Sequence, residues 1–150
     1  MSAPVIRRAT RDDVPAIVGM LVDDPLGATR EPAGDHTAYL AAFEMIDADP
    51  AHQLVVLDDG GEVVGTLQLT LLPGLSRGGA LRGQIEAVRV ASSRRGQGLG
   101  ERLFRWAIDE ARERGAVLVQ LTTDATRLDA QRFYERLGFA PSHVGMKLPL

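Results

Sequence analysis

Gly96, Gly98 and Gly100 follow Arg94 and Arg95 and stand between a valine-rich stretch ending at Val90 and a helical pattern. This segment, VRVASSRRGQGLGERLFRWA, constrains the fold more than any other. From Leu99 onward, Leu103, Trp106, Ala107, Ile108 and Ala111 form one apolar stripe with arginines and acids opposite, and Gly115 supplies a C-terminal stop. A strand that enters a helix through glycines exposes the unpaired N–H groups of the first turn, where the helix dipole also favours negative charge. Without β-carbons the backbone can approach an oxyanion closely, and Arg94 or Arg95 can add charge-assisted hydrogen bonds. The segment therefore reads as an anion cradle; the competing account is a glycine-rich loop that serves packing alone. Two nucleotide-binding patterns are excluded. A P-loop needs Gly-Lys-Ser/Thr, whereas Gly100 precedes Glu101 and Arg102, and a dinucleotide fingerprint needs glycine where Leu103 stands.

The rest of the chain supplies strands and helices in an order that fits a mixed-sheet α/β domain. PVIRRAT reads as a first strand, and Thr10 with Asp13 resembles a helix cap ahead of VPAIVGMLV. Asp24 to Gly34 is a polar loop with prolines and glycines, followed by a helix on which Tyr39, Leu40, Phe43 and Ile46 recur. Two β-branched runs around Asp58, Asp59, Gly60 and Gly61 make a hairpin. After the connector PGLSRGGALRG, QIEAVRV is a further strand, VLVQLTT a buried one, RLDAQRFYERLG a short helix ending at Gly138, and SHVGMKLPL the site of a final strand.

Composition narrows function. The 150 residues fit one domain, 1–150, able to bury a core; the chain has no cysteine and no apolar run long enough for a signal peptide or membrane span, which points to a cytoplasmic protein without a membrane partner. A net charge of -3 argues against a nucleic-acid partner. Acids dominate residues 1–50 and arginines residues 76–115, either as solvated faces or as sites for a cationic and an anionic ligand. His36, His52 and His143 have no metal-binding spacing, and no metal is expected.

VRVASSRRGQGLGERLF resembles the acetyl-CoA signature of the GNAT N-acetyltransferase superfamily, Gln/Arg-x-x-Gly-x-Gly/Ala, through Arg95, Gly96, Gln97, Gly98, Leu99 and Gly100. A second signature, alanine followed by FYERLGF, is matched by Ala130 and by Phe133 to Phe139. The resemblance implies a single-domain α/β fold with a mixed, mostly antiparallel sheet flanked by helices and a splayed strand pair holding acetyl-CoA. It also implies transfer of an acetyl group from that co-substrate to a primary amine, on a small molecule or a peptide N-terminus, by direct attack. A CoA-binding sensor without turnover is the alternative, and a modifier of charged tRNA is disfavoured by the charge. A homodimer is compatible with the sequence.

By the same resemblance, the backbone of Val88, Arg89 and Val90 pairs with the pantetheine arm, and the N–H groups from Gly96 to Glu101 hold the pyrophosphate. Strand parity puts Glu86 on the face of Val88 and Val90, so a bulge near Ala87 or Val88 is needed to aim the carboxylate into the cleft. Glu86 is the expected general base, with its pKa raised by Ile85, Val88 and Val90; the alternative is an edge glutamate paired with Arg89 or Arg82. Tyr134 is the expected acid, or hydrogen-bond donor, toward the departing thiolate; its alternative is packing beside Phe133 and Leu137. Relatives often carry asparagine where Arg127 stands, so Asp124 or Arg127 is expected to make that cofactor contact. Asp23, Asp24, Glu31 and Asp35 lie where relatives form the acceptor wall and could steer a cationic amine.

Overall fold

The computed structural model describes residues 3–24, 26–31 and 34–150. In chain order the elements are β1 (Val5–Arg8), α1 (Val14–Val22), α2 (Gly27–Arg30), α3 (Thr37–Ala48), β2 (His52–Asp59), β3 (Glu62–Leu72), α4 (Ser76–Gly79), β4 (Arg82–Val90), α5 (Leu99–Glu113), β5 (Leu118–Gln120) and α6 (Leu128–Arg136). The sheet has five strands in the order β1-β2-β3-β4-β5. β1 to β4 are antiparallel neighbours, whereas β4 and β5 run parallel. A parallel pair needs a long crossover, and α5 provides it.

Strand alternation gives the sheet two apolar faces. Val55, Leu57, Leu67, Leu69 and Ile85 pack under Leu103, Phe104, Ala107 and Ala111 of α5. Val56 and Leu54 point the other way, into a cluster with Val14, Ile17 and Val18 of α1 and Phe43 and Leu40 of α3. The helix α5 lies close to the sheet where β4 has glycine. A Cβ on Gly83 would stand 3.2 Å from the Ala111 Cβ and 3.4 Å from Leu69 Cδ1, tighter than ordinary van der Waals contact. The hairpin between β2 and β3 turns through Gly60 (φ 63°) and Gly61 (φ 99°), as a two-residue turn with positive φ at both centres requires. The Gly61 N–H donates to Asp58 Oδ1 at 2.7 Å and fixes the turn.

Three expectations need correction. The segment SHVGMKLPL forms no strand: residues 141–150 are exposed and unpaired in a sheet, because alternating apolar side chains specify a strand only where an edge receives it. The stretch VLVQLTT is a strand only at Leu118–Gln120, and it is half-buried because no further strand lies beyond it. The loop from Asp24 to Gly34 contains the single helical turn α2, with the Gly27 N–H donating to Asp24 Oδ2 at 3.2 Å; Pro25, Pro32 and Ala33 of that loop lie outside the described residues.

The start of α1 is held by an ion-pair network. Asp13 receives two hydrogen bonds from Arg7, at 2.8 and 2.9 Å, and one from the Thr10 N–H at 2.7 Å, while Arg7 Nε reaches Asp58 at 2.8 Å. The network ties β1, the helix entry and the β2 end together. Arg7 holds the Asp13 and Asp58 carboxyls below the usual carboxylate range. A depressed folded-state pKa stabilises the protein above the unfolded value of about 3.9, and that contribution disappears as pH falls through the lower folded value. Asp13→Asn should therefore lower stability by about 2 kcal/mol at neutral pH, less than the 3–5 kcal/mol of a fully buried broken pair because Arg7 reaches solvent. Denaturant titrations from pH 7 to pH 2 should show the gap between wild type and variant closing in acid.

Candidate acetyl-CoA site

The parallel pair β4–β5 is short. Its register runs Arg82↔Leu118, Gly83↔Val119 and Gln84↔Gln120 and stops there, while β4 continues to Val90. From Ile85 onward β4 keeps β3 on one side and, among the described residues, has no strand on the other. This is the splayed pair the sequence led us to expect. Val88, Arg89 and Val90 lie in this stretch, with the Val88 carbonyl accepting from Arg89 Nη1 at 2.8 Å.

A bulge sits in the same stretch. Gln68 pairs with Glu86 and Thr66 with Arg89, so Ala87 and Val88 of β4 stand opposite Leu67 alone. Ala87 has φ 53°, a left-handed conformation in a residue with a β-carbon. The extra residue reverses the side-chain parity. Val88 and Val90 pack against the α5 cluster with Ile85, whereas Glu86 is exposed on the opposite face. The apolar surroundings anticipated for Glu86 are therefore absent, since Ile85, Val88 and Val90 lie on the other side of the sheet.

Past Val90 the chain makes a short 3-10 turn, Ser92–Arg94, then enters α5 through the glycines. Gly96 (φ 80°) and Gly98 (φ 76°) occupy the left-handed region. Gly98 is the N-cap residue of α5 and no side chain caps the helix, so its first N–H groups face out uncapped. A cleft of about 260 Å³ lies there, lined by Val90, Arg94, Arg95, Gly96, Gly98, Leu99, Gly100, Glu101 and Phe133. A Cβ on Gly100 would meet nothing nearer than Val90 Cγ2 at 3.9 Å, so glycine there leaves room rather than relieving a clash. The cleft thus fits an anionic group better than it fits the packing account.

The two arginines differ. Arg94 pairs with Asp59 at 2.7 Å and donates to Gln97 Oε1 at 3.1 Å, bracing the loop against the hairpin. Arg95 donates only to the Asp23 carbonyl, at 3.2 Å, and has no acidic partner among the described residues. Arg95 is thus a cation available to a ligand. Glu101, in the first turn, is held by Arg105 at 2.6 Å.

Glu86 is not in the cleft, nor does it pair with an arginine. Arg89 forms its ion pair with Asp24, at 3.4 Å, and also donates to the Val88 carbonyl. Glu86 instead accepts from Gln84 Nε2; Gln84 Oε1 accepts from Gln120 Nε2 at 3.0 Å, and Gln120 Oε1 accepts from Arg82 Nη1 at 3.4 Å. Sequence reasoning passed over Gln84 and Gln120, although parity upstream of the bulge places Arg82, Gln84 and Glu86 on one face.

Tyr134 lies on α6 with its ring 5.4 Å from Phe104, 5.8 Å from Phe133 and 6.2 Å from Phe139, between centroids. Its hydroxyl makes no hydrogen bond among the described residues, so packing orients the ring while the oxygen stays uncommitted. Asp124 shapes the approach to α6: its Oδ1 accepts from the Thr126 N–H at 2.9 Å and hydroxyl at 2.6 Å. Arg127 is the N-cap residue of that helix and is half-buried. Two of the acids expected at an acceptor wall are engaged as well: Glu31 accepts from the Tyr39 hydroxyl at 2.8 Å, and Asp35 accepts from the Thr37 hydroxyl at 2.7 Å and N–H at 2.9 Å.

A parallel strand pair that stops short of a bulge, beside an uncapped glycine helix start, is the arrangement the resemblance in the sequence implied. The acetyltransferase (GNAT) family profile matches residues 17–139. The chain is 33% identical over 139 residues to an aminoalkylphosphonate N-acetyltransferase of Salmonella typhimurium, covering 92% of this chain and 86% of that one. It is 38% identical over 90 residues to a glucosamine 6-phosphate N-acetyltransferase of Trypanosoma brucei brucei, covering 60% and 59%. A crystal structure from Bacillus halodurans C-125, described as a transcriptional regulator, superposes with a TM-score of 0.95 at 47% identity over 98% of this chain and 99% of that one. The chain belongs to the GNAT family and is an acetyl-CoA-dependent N-acetyltransferase.

The bulge can be tested directly. A β-branched residue tolerates left-handed φ less well than alanine, so Ala87→Val should cost about 1–2 kcal/mol beyond its volume change, whereas Ala87→Gly should leave stability within about 1 kcal/mol of wild type. Urea unfolding of the two variants checks this.

Proposed function

We propose that the protein acetylates a primary amine of a small molecule that also carries an anionic group, by direct attack on acetyl-CoA. The observation that carries the mechanism is the parting of β4 from β5 beside the glycine loop. Acetyl-CoA supplies the acetyl thioester. The backbone of Val88, Arg89 and Val90 pairs with its pantetheine arm, and the N–H groups from Gly96 through Gln97, Gly98, Leu99 and Gly100 to Glu101 hold its pyrophosphate with Arg95. Arg127, half-buried at the start of α6, is better placed than Asp124 for the further contact, because the Asp124 carboxylate is occupied by Thr126.

An amine resembling lysine is an ammonium at neutral pH, with a pKa of about 10.4, and must lose a proton before its lone pair forms the new C–N bond. Glu86, exposed and without an ion pair among the described residues, takes that proton directly or through a water. As the C–S bond breaks, the Tyr134 hydroxyl donates a hydrogen bond to the sulfur. Full transfer from a phenol at about 10 to a thiolate at about 8.5 is uphill by about 2 kcal/mol, so charge stabilisation is the larger part of that role. A module that binds CoA without turnover would have no use for Glu86 or the free hydroxyl.

The anionic group on the acceptor is supported by Arg82. Its guanidinium has no acidic partner among the described residues and shares a face with Glu86. Two relatives are named for amines that carry a phosphonate or a phosphate. An ammonium near Glu86 and an oxyanion near Arg82 complement that face.

The functional test is release of free thiol from acetyl-CoA across a panel of aminoalkylphosphonates, glucosamine 6-phosphate, and matched amines without the anion. Turnover should favour the anionic amines, and Arg82→Gln should raise KM for these about tenfold or more while leaving the neutral amines unchanged. Equal KM effects on both sets would remove the anion from the acceptor.

Glu86→Gln separates the base from the acceptor's own ionisation. With two amines of different pKa, the wild-type rise of kcat/KM with pH should keep one position, whereas in the variant it should follow each amine, with activity lowered about 10²- to 10⁴-fold near neutrality. Identical limbs in both proteins would assign the base elsewhere.

A further inference from the structure

The sheet face away from α5 carries a run of polar side chains around Glu86. Arg82, Gln84 and Glu86 alternate along β4, Thr70 and Gln68 of β3 stand opposite Gln84 and Glu86, and Gln120 of β5 stands beside Gln84. A glutamate in solvent turns among many rotamers, whereas a base acts only when a lone pair is aimed at the proton it takes. Something on this face has to hold the carboxylate.

We propose that Gln120, on the neighbouring strand, is a positioning residue for Glu86 and acts through Gln84; the inference rests on the reading of Glu86 as the base. Gln120 Nε2 donates to Gln84 Oε1 at 3.0 Å, which leaves the Gln84 nitrogen to donate to Glu86 Oε1. Without that bond the Gln84 amide is free to turn over and present its oxygen to the carboxylate, where two acceptors repel. Arg82 Nη1 donates to Gln120 Oε1 at 3.4 Å and sets the same sense from the far end.

The other neighbour of Glu86 is committed elsewhere. Gln68 Nε2 donates to Thr70 Oγ1 at 3.4 Å, and that hydroxyl also lies 3.0 Å from His52 Nδ1. Among the described residues, Gln84 is therefore the one side chain that donates to Glu86, and it holds a single oxygen. The other carboxylate oxygen is left for the proton of the amine.

A purely structural role for Gln120 would be to staple β5 to β4. The backbone already pairs the two strands at Arg82↔Leu118, Gly83↔Val119 and Gln84↔Gln120, and Gln120 is only half-buried, so its side chain adds little to that pairing. The two roles differ in what they move. A staple affects stability and every step alike, whereas a positioning residue affects the chemical step and only while Glu86 is present.

The first readout needs no acceptor. In nitrogen–proton correlation spectra of the labelled full chain, Glu86→Gln should move the side-chain amide signals of both Gln84 and Gln120, while that of Gln53, bonded to Glu110 on α5, stays in place. The second readout is kinetic, with an aminoalkylphosphonate and glucosamine 6-phosphate as acceptors. Gln120→Leu, and the isosteric Gln120→Glu that cannot donate to Gln84, should each lower kcat about tenfold through misplacement of the base, with KM for acetyl-CoA and the urea midpoint near wild type. In the Glu86→Gln background, Gln120→Leu should leave kcat where Glu86→Gln alone puts it. A Gln120 signal indifferent to Glu86→Gln, an unchanged kcat in the Gln120 variants, or an equal fall in both backgrounds would each overturn the proposal. A Glu86→Gln enzyme as fast as wild type removes the base and this proposal with it, whereas a slowed one beside unaffected Gln120 variants removes the positioning role alone.

Discussion

One extra residue on β4 organises the functional half of this protein. With Ala87 bulged, Ile85, Val88 and Val90 all face α5, and the cluster beneath that helix stays apolar across the irregularity. An unbulged strand would place Glu86 on the same side as Val88 and Val90, forcing either a buried carboxylate or exposed valines. The irregularity lies just past the end of β4–β5 pairing at Gln84, and a bulge generally bends a strand and disrupts its ladder locally. A left-handed alanine is the local cost, of about 1–2 kcal/mol.

Part of the charge asymmetry seen along the sequence is taken up by ion pairs between distant segments. Arg89 meets Asp24, Arg94 meets Asp59, and Arg7 meets Asp13 and Asp58. These pairs join the acid-rich first third of the chain to the arginine-rich β4–α5 region and to the hairpin. Arg95, through the Asp23 carbonyl, and Arg89, through Asp24, anchor the end of α1 against β4 and the glycine loop. Steering by Asp24, Glu31 and Asp35 loses force as an explanation, because each carboxylate already has a partner.

Elements whose signal is local were legible in the sequence. Glycines at positive φ marked the hairpin and the entry to α5, and the apolar stripe from Leu99 gave the helix its buried face. The bulge was expected only through the family resemblance, since parity shows that Glu86 shares a face with its valines but not that an extra residue moves it. Elements that depend on distant partners were not legible. Residues 141–150 carry a strand's periodicity, but pairing requires an edge that a sequence does not display. Asp24 read as a loop acid that could steer an amine, because its partner, Arg89, is 65 residues away. Gln84 and Gln120 come together only through a parallel pair 36 residues apart, and an amide in a strand has no distinctive pattern.

Those two glutamines constrain one another in a way that follows from donor and acceptor chemistry. Arginine can only donate and an ionised carboxylate can only accept. With Arg82 at one end and Glu86 at the other, Gln120 must turn its oxygen to Arg82 and its nitrogen to Gln84, and Gln84 must then turn its nitrogen to Glu86. Every dipole in the chain points the same way, which strengthens each bond and fixes the orientation of a carboxylate that is otherwise exposed. The chain spans β4 and β5 at the last rung before they part, at Gln84↔Gln120. It therefore ties the position of the proposed base to the point where the two strands part, so that a shift of β5 away from β4 would loosen Glu86 as well.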